Sequence, residues 1–157
     1  MKAILTTLAF VIASFNSQAS EISLTGNNLI TITNKNGVKK LKFDISINGY
    51  TVKCSGDKII LWGKPIKFNE GNPQDTSVIL VNLNDKNLVI EKSISEGVFD
   101  VEYLKSKNSA FIGTGKGLFI NLNSGQIDEV KNDFDPSDDN NFESCNKSKS
   151  WEFNRYN

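Results

Sequence analysis

Histidine is absent from the 157 residues, and arginine occurs once, as Arg155. Without imidazole there is no Ser-His-Asp or Cys-His catalysis, no His-ligated zinc and no ordinary proton shuttle near neutral pH. The 18 basic residues, nearly all Lys, balance 18 acidic ones, so the basic, Arg-bearing surface of a nucleic-acid binder is missing. No apolar run reaches the roughly 20 residues needed to span a bilayer, and no window carries a long helical stripe. What is present fits one ordinary domain, with an apolar fraction of 38% that is low but sufficient for a core.

The first residues read as an address. Met1-Lys2 is followed by an apolar run from Ala3 to Phe15 and then by Asn16-Ser17-Gln18-Ala19, the pattern of a secretory signal peptide cleaved after Ala19. Residues 1–19 are therefore expected to be removed. Residues 20–157 are expected to form a single soluble β domain that does not insert into a membrane. Export gives meaning to Cys54 and Cys145, since an oxidising compartment pairs thiols that the cytosol keeps reduced. Their bridge would close a loop of about 90 residues and fasten the C-terminal region to an early strand. Abundant Asn and Lys with little Arg suggest an AT-rich bacterial genome, making the periplasm the expected location.

Leu41, Phe43, Ile45 and Ile47 alternate with polar residues, the period of a strand with one face on a core. Asn48-Gly49 follows and favours a tight turn, so 41–54 reads as a hairpin. Further strands are expected at 29–33, 58–62, 77–83, 88–93, 98–104, 110–113, 118–122 and 126–130. The segment Ile79-Leu80-Val81-Asn82-Leu83-Asn84 matches Leu118-Phe119-Ile120-Asn121-Leu122-Asn123 at about the spacing of one propeller blade. Two hairpins sharing a common turn code would look the same. The expected fold is all-β, with antiparallel sheets in an open, partial β-propeller-like stack or a β-sandwich and no major helix.

No motif for catalysis or a cofactor is complete. Gly113-Thr114-Gly115-Lys116-Gly117 lacks the spacing and the following helix of a phosphate loop. It reads instead as a flexible hairpin tip suited to contact a partner. Ser55-Gly56-Asp57-Lys58 and Ser144-Cys145-Asn146-Lys147 spell S-x-x-K, a spacing that needs a helix and accompanying elements the chain lacks. The acidic stretch from Asp128 to Glu143 begins like a calcium loop at Asp133, but Asp138 and Ser144 stand where Gly and Glu are required. It reads as a solvated loop or as a surface for a basic partner. The irregular segment Lys64 to Asp75 is a second candidate contact loop. Trp151, Phe153 and Tyr156 suit a final edge strand or an exposed contact.

An exported, disulfide-capable, His-free β protein with incomplete propeller-like repeats at Ile79 and Leu118 resembles the periplasmic immunity proteins that guard bacteria against type VI secretion effectors, particularly peptidoglycan amidases. The resemblance implies a non-enzymatic, cofactor-free inhibitor that pushes loops into a toxin's active site. The contact residues would be Gly113, Thr114, Gly115, Lys116 and Gly117, with Asn69, Glu70, Asn72 and Asp75 and the acidic Asp135. Tyr50-Thr51-Val52-Lys53-Cys54 is also similar to the opening strand of lysozyme inhibitors. A glycan- or protein-binding adhesive module of the envelope is the alternative of a different class.

Overall fold

The computed structural model describes residues 21–67, 70–84, 89–131 and 133–145. The expected signal peptide and the aromatic tail from Trp151 to Tyr156 lie outside them, as does Asn69. The described chain is all-β, with eleven strands in three antiparallel sheets and one 3₁₀ turn. The first sheet holds β1 (Glu21–Leu24), β2 (Leu29–Asn34) and β3 (Gly37–Lys42). The second is a meander of β4 (Ile45–Val52), β5 (Lys58–Pro65), β6 (Thr76–Asn82) and β7 (Val89–Ile94). The third repeats that meander with β8 (Asp100–Tyr103), β9 (Ser109–Gly113), β10 (Leu118–Asn121) and β11 (Ile127–Glu129).

The sheets stack in chain order, and the sequence of the middle sheet shows why. A strand buried on one face alternates, whereas one buried on both reads as a continuous apolar run. In β5, Ile59 and Leu61 face a core shared with Ile30 and Ile32 of the first sheet, while Ile60 and Trp62 face Val101, Ala110, Ile112 and Ile120 of the third. In β6, Ile79 and Val81 join the first core, and Val78 and Leu80 the second. Each such side chain taken out of water contributes about 1.5 to 3 kcal/mol.

The 41–54 hairpin is not formed, and the physical reason lies in the core. The alternation from Leu41 to Ile47 is real, because all four apolar residues line the same core. The chain nevertheless changes sheet at Phe43-Asp44, between β3 and β4. Asn48-Gly49 lies inside β4, where the register with β5 shifts between Ile47 and Gly49. The indole of Trp62 lies where a Cβ on Gly49 would be, so the glycine serves close packing at a bulge instead of a turn.

The repeat extends further than the two expected copies. β2, β6 and β10 each end in Asn-x-Asn. The first Asn side chain accepts a hydrogen bond from the amide two residues on: Asn34 from Asn36 at 2.9 Å, Asn82 from Asn84 at 3.1 Å, and Asn121 from Asn123 at 2.9 Å. Each is an Asx turn, which lets a polar side chain stand in for backbone pairing where the strand reverses. Thus all three sheets share the turn that the sequence displays most clearly in two.

Among the described residues neither end of the stack meets a further sheet. The outer face of the first sheet carries Ser23, Thr31, Thr33, Lys40 and Lys42 with one exposed apolar residue, Val38, opposite Thr33, and β3 is a Lys-rich edge strand of the kind that resists pairing with other chains. On the third sheet, Phe111 and Phe119 meet Phe134 and Phe142 of the C-terminal segment, with ring centroids 4.9 to 6.2 Å apart.

Candidate partner-binding end

Antiparallel meanders joined by short connectors place alternate loops at opposite ends. The β1–β2, β3–β4, β5–β6, β7–β8 and β9–β10 connections therefore emerge together, at what is termed the loop end. The remaining turns form the far end, which the C-terminal segment ties down. There Cys54 and Cys145 form the expected disulfide, with Cα atoms 5.9 Å apart. The Glu143 carboxylate pairs with Lys53 and accepts from the Cys54 amide at 3.0 Å, while the Glu143 amide donates to the Tyr103 carbonyl at 2.9 Å. A cleft of about 500 Å³ beside the disulfide is lined by Cys54, Cys145, Glu143, Lys105, Asp139 and Phe142.

The two candidate loops both lie at the loop end. In the β9–β10 tip the Thr114 hydroxyl accepts from the amides of Gly117 at 3.0 Å and Lys116 at 3.4 Å. Two of its glycines serve the fold. A Cβ on Gly113 would overlap the Asp100 carboxylate, and Gly117 combines a φ of +75° with the Phe111 ring 2.9 Å from its Cβ position. Both are buried, leaving Gly115 and Lys116 exposed and Thr114 half-buried.

The β5–β6 loop divides similarly. The Asp75 carboxylate accepts from Ser93 Oγ at 2.5 Å, and its amide donates to the Asn72 carbonyl at 3.1 Å. Those residues pin the loop to β7, while Glu70 is exposed. Two apolar residues are exposed at this end: Ile66 at 57%, within the expected Lys64 to Asp75 contact loop, and Phe99 at 59%, which sequence reasoning did not single out. The signal was faint: an apolar residue immediately outside a strand's alternation. Phe99 was assigned to a strand, yet β8 starts at Asp100, and the Phe99 amide donates to the Gly113 carbonyl at 2.8 Å.

Asp135 is on the C-terminal segment, which leaves β11 beside the β9–β10 tip, where the Val130 amide donates to the Gly117 carbonyl at 3.5 Å. That segment covers the third sheet, and hydrogen bonds from the Ser137 hydroxyl and amide, at 2.7 and 2.8 Å, hold the Asp135 carboxyl below the usual range. Asp138 likewise caps the 3₁₀ turn by accepting from the Asn140 amide at 3.0 Å. These oxygens are committed to turns, and among the described residues no three His, Cys, Asp or Glu side chains are placed to hold a metal ion. Ser55 and Lys58 both interact with Asp57 rather than with each other, Ser55 as a donor and Lys58 as an ion pair at 3.5 Å. The other S-x-x-K, at Ser144, has its Lys147 outside the described residues.

An end that presents apolar and cationic groups on loops from adjacent sheets is suited to binding a macromolecule. No family model, curated protein or solved structure matches this chain.

Proposed function

We propose that the protein is exported to the periplasm and acts there as an immunity-type inhibitor, binding an antibacterial cell-wall-degrading enzyme through its loop end. The observation that carries this reading is the common emergence of the β5–β6, β7–β8 and β9–β10 loops at one end, where Ile66, Phe99 and Lys116 are exposed. The β5–β6 and β9–β10 loops carry side-chain hydrogen bonds, which reduces the ordering entropy lost when they dock. The Cys54 to Cys145 disulfide supports work in an oxidising compartment.

The test is affinity purification of the tagged mature chain from the periplasm of its native host, with a salt wash and mass spectrometry. Any retained enzyme is then assayed for release of peptidoglycan fragments with and without the chain. A one-to-one complex in which hydrolysis stops is the expected result. Retention of only glycan or surface proteins, with no enzyme blocked, would replace inhibition with an adhesive role, and retention of nothing would remove the reading.

A further inference from the structure

Asparagine followed by glycine is the pair in which a backbone amide most readily attacks the preceding side chain, because a residue without a Cβ leaves its nitrogen open to close approach. The chain contains the pair twice, as Asn36-Gly37 and Asn48-Gly49. The dipeptide alone does not separate them, and the fold does.

Asn48-Gly49 lies inside β4, with Ile47 paired to Gly63 and Gly49 to Trp62 of β5. Gly49 is buried, and the indole of Trp62 fills the space where a side chain on it would go. For the Gly49 nitrogen to reach the Asn48 carboxamide, the backbone between them must rotate out of its extended form. That rotation breaks the β4–β5 pairing and lifts the chain off Trp62.

Asn36-Gly37 stands at the β2–β3 reversal, where Lys35 and Asn36 form the turn between Asn34 and its ladder partner Gly37. Both residues are exposed, and a Cβ on Gly37 would meet nothing within 4 Å. The Asn36 amide donates to the Asn34 side chain, but the Asn36 carboxamide has no hydrogen-bond partner among the described residues. No residue from Thr33 to Lys40 is buried, so this turn opens locally at little free-energy cost.

We propose that Asn36 is a self-modification site. The Gly37 amide nitrogen attacks Asn36 Cγ, the Cγ–Nδ2 bond breaks, and ammonia leaves with the proton that the amide gives up. Water then opens the resulting cyclic imide. Attack at Cγ restores the main chain with an aspartate at position 36, whereas attack at the main-chain carbonyl leaves Gly37 joined through the side chain and lengthens the turn by a methylene. Either product carries a new carboxylate, in a hairpin whose exposed cations are Lys35, Lys39, Lys40 and Lys42. The reaction needs water and no partner, so it stands independently of the inhibitor reading.

The experiment holds the purified, disulfide-bonded protein in warm, mildly alkaline buffer and follows both sites by peptide mass spectrometry, with aspartyl and isoaspartyl peptides separated by chromatography. Loss of amide at Asn36 should run more than about tenfold faster than at Asn48, which must wait for β4 to open. In urea the two rates should converge. N36Q, whose longer side chain closes its ring far more slowly, should lose the acidic band that otherwise accumulates on isoelectric focusing while keeping the unaltered thermal midpoint. An intact Asn36 in the folded protein, or equal rates at the two sites before urea is added, would overturn the proposal. A gap that persisted in urea would trace the contrast to flanking residues and overturn the role given to the fold.

Discussion

The hydroxyl of Tyr103, on the first strand of the third sheet, donates to the carbonyl of Thr51 on the first strand of the second at 3.3 Å. Tyr50 repeats the relationship one sheet earlier, donating to the Ile22 carbonyl on β1 at 3.3 Å. A buried hydroxyl needs a partner, and here each partner is a neighbouring sheet, so the two tyrosines fix how successive sheets meet.

Removing the hydroxyl with Y103F should therefore destabilise the protein by about 1 kcal/mol, since the buried Thr51 carbonyl loses a donor while the ring packing survives. Urea unfolding should show a lower midpoint with an unchanged slope. Burial, followed by the charges of Asp57 and Glu143, pushes the Tyr103 phenol well above its ordinary 10.0. Because the unfolded phenol ionises first, stability should fall as pH rises above about 10, and Y103F should flatten that fall.

Glu102 gives a pH dependence at the acidic side. Partial burial, then Asp100 and Asp139, push its carboxyl above its ordinary 4.5. At low pH the group is neutral in both states; as pH rises through the unfolded value, the unfolded chain ionises first and the folded state loses stability. E102Q should raise the thermal midpoint slightly at pH 7, and the gain should vanish below about pH 4. An equal gain at both pH values would show that charge is not its source.

The disulfide spans a sequence separation of 91, and a loop of that size is worth about 4 to 5 kcal/mol in the chain-entropy model. C54A/C145A should show a large loss of stability, measured by urea unfolding without reductant. The C-terminal segment should be the first region to lose hydrogen-exchange protection, because the Lys53 to Glu143 pair is only partly buried and salt screens it.

Glycine substitutions should separate fold from surface. A Cβ on Gly63 would overlap the Ser46 carbonyl across the β4–β5 pair, so G63A should cost more than about 2 kcal/mol or prevent folding. G97A should leave the midpoint within about a degree, as an open surface site with ordinary φ.

Much of the fold was legible wherever burial leaves a one-dimensional trace. The double-faced runs at Lys58 and Ser77 and the Asn-x-Asn turns located β5 to β11, with strand ends displaced by a residue or two except at β5, which runs to Pro65, three residues past its expected end. β1 was missed because Glu21–Leu24 is a short edge strand with no residue fully buried. The Asn48-Gly49 turn failed for another reason: the same dipeptide suits a reversal and a bulge, and only Trp62, distant in sequence, decides between them. At the candidate site, the glycine-rich tip was visible, but the roles of its glycines were not. Those depend on Asp100 and Phe111, which no local pattern connects to the loop.

A closed propeller must hold a set number of blades, because the last has to meet the first. This chain is a row whose two outer faces are finished differently, one by threonine and lysine and the other by a phenylalanine-lined wrap. Among the described residues each sheet packs on its neighbours alone, so the row is held by successive interfaces and not by closure. Such a row can gain or lose an interior unit between generations without redesigning its ends, and a binding edge built from successive loops would then widen or narrow by one loop at a time.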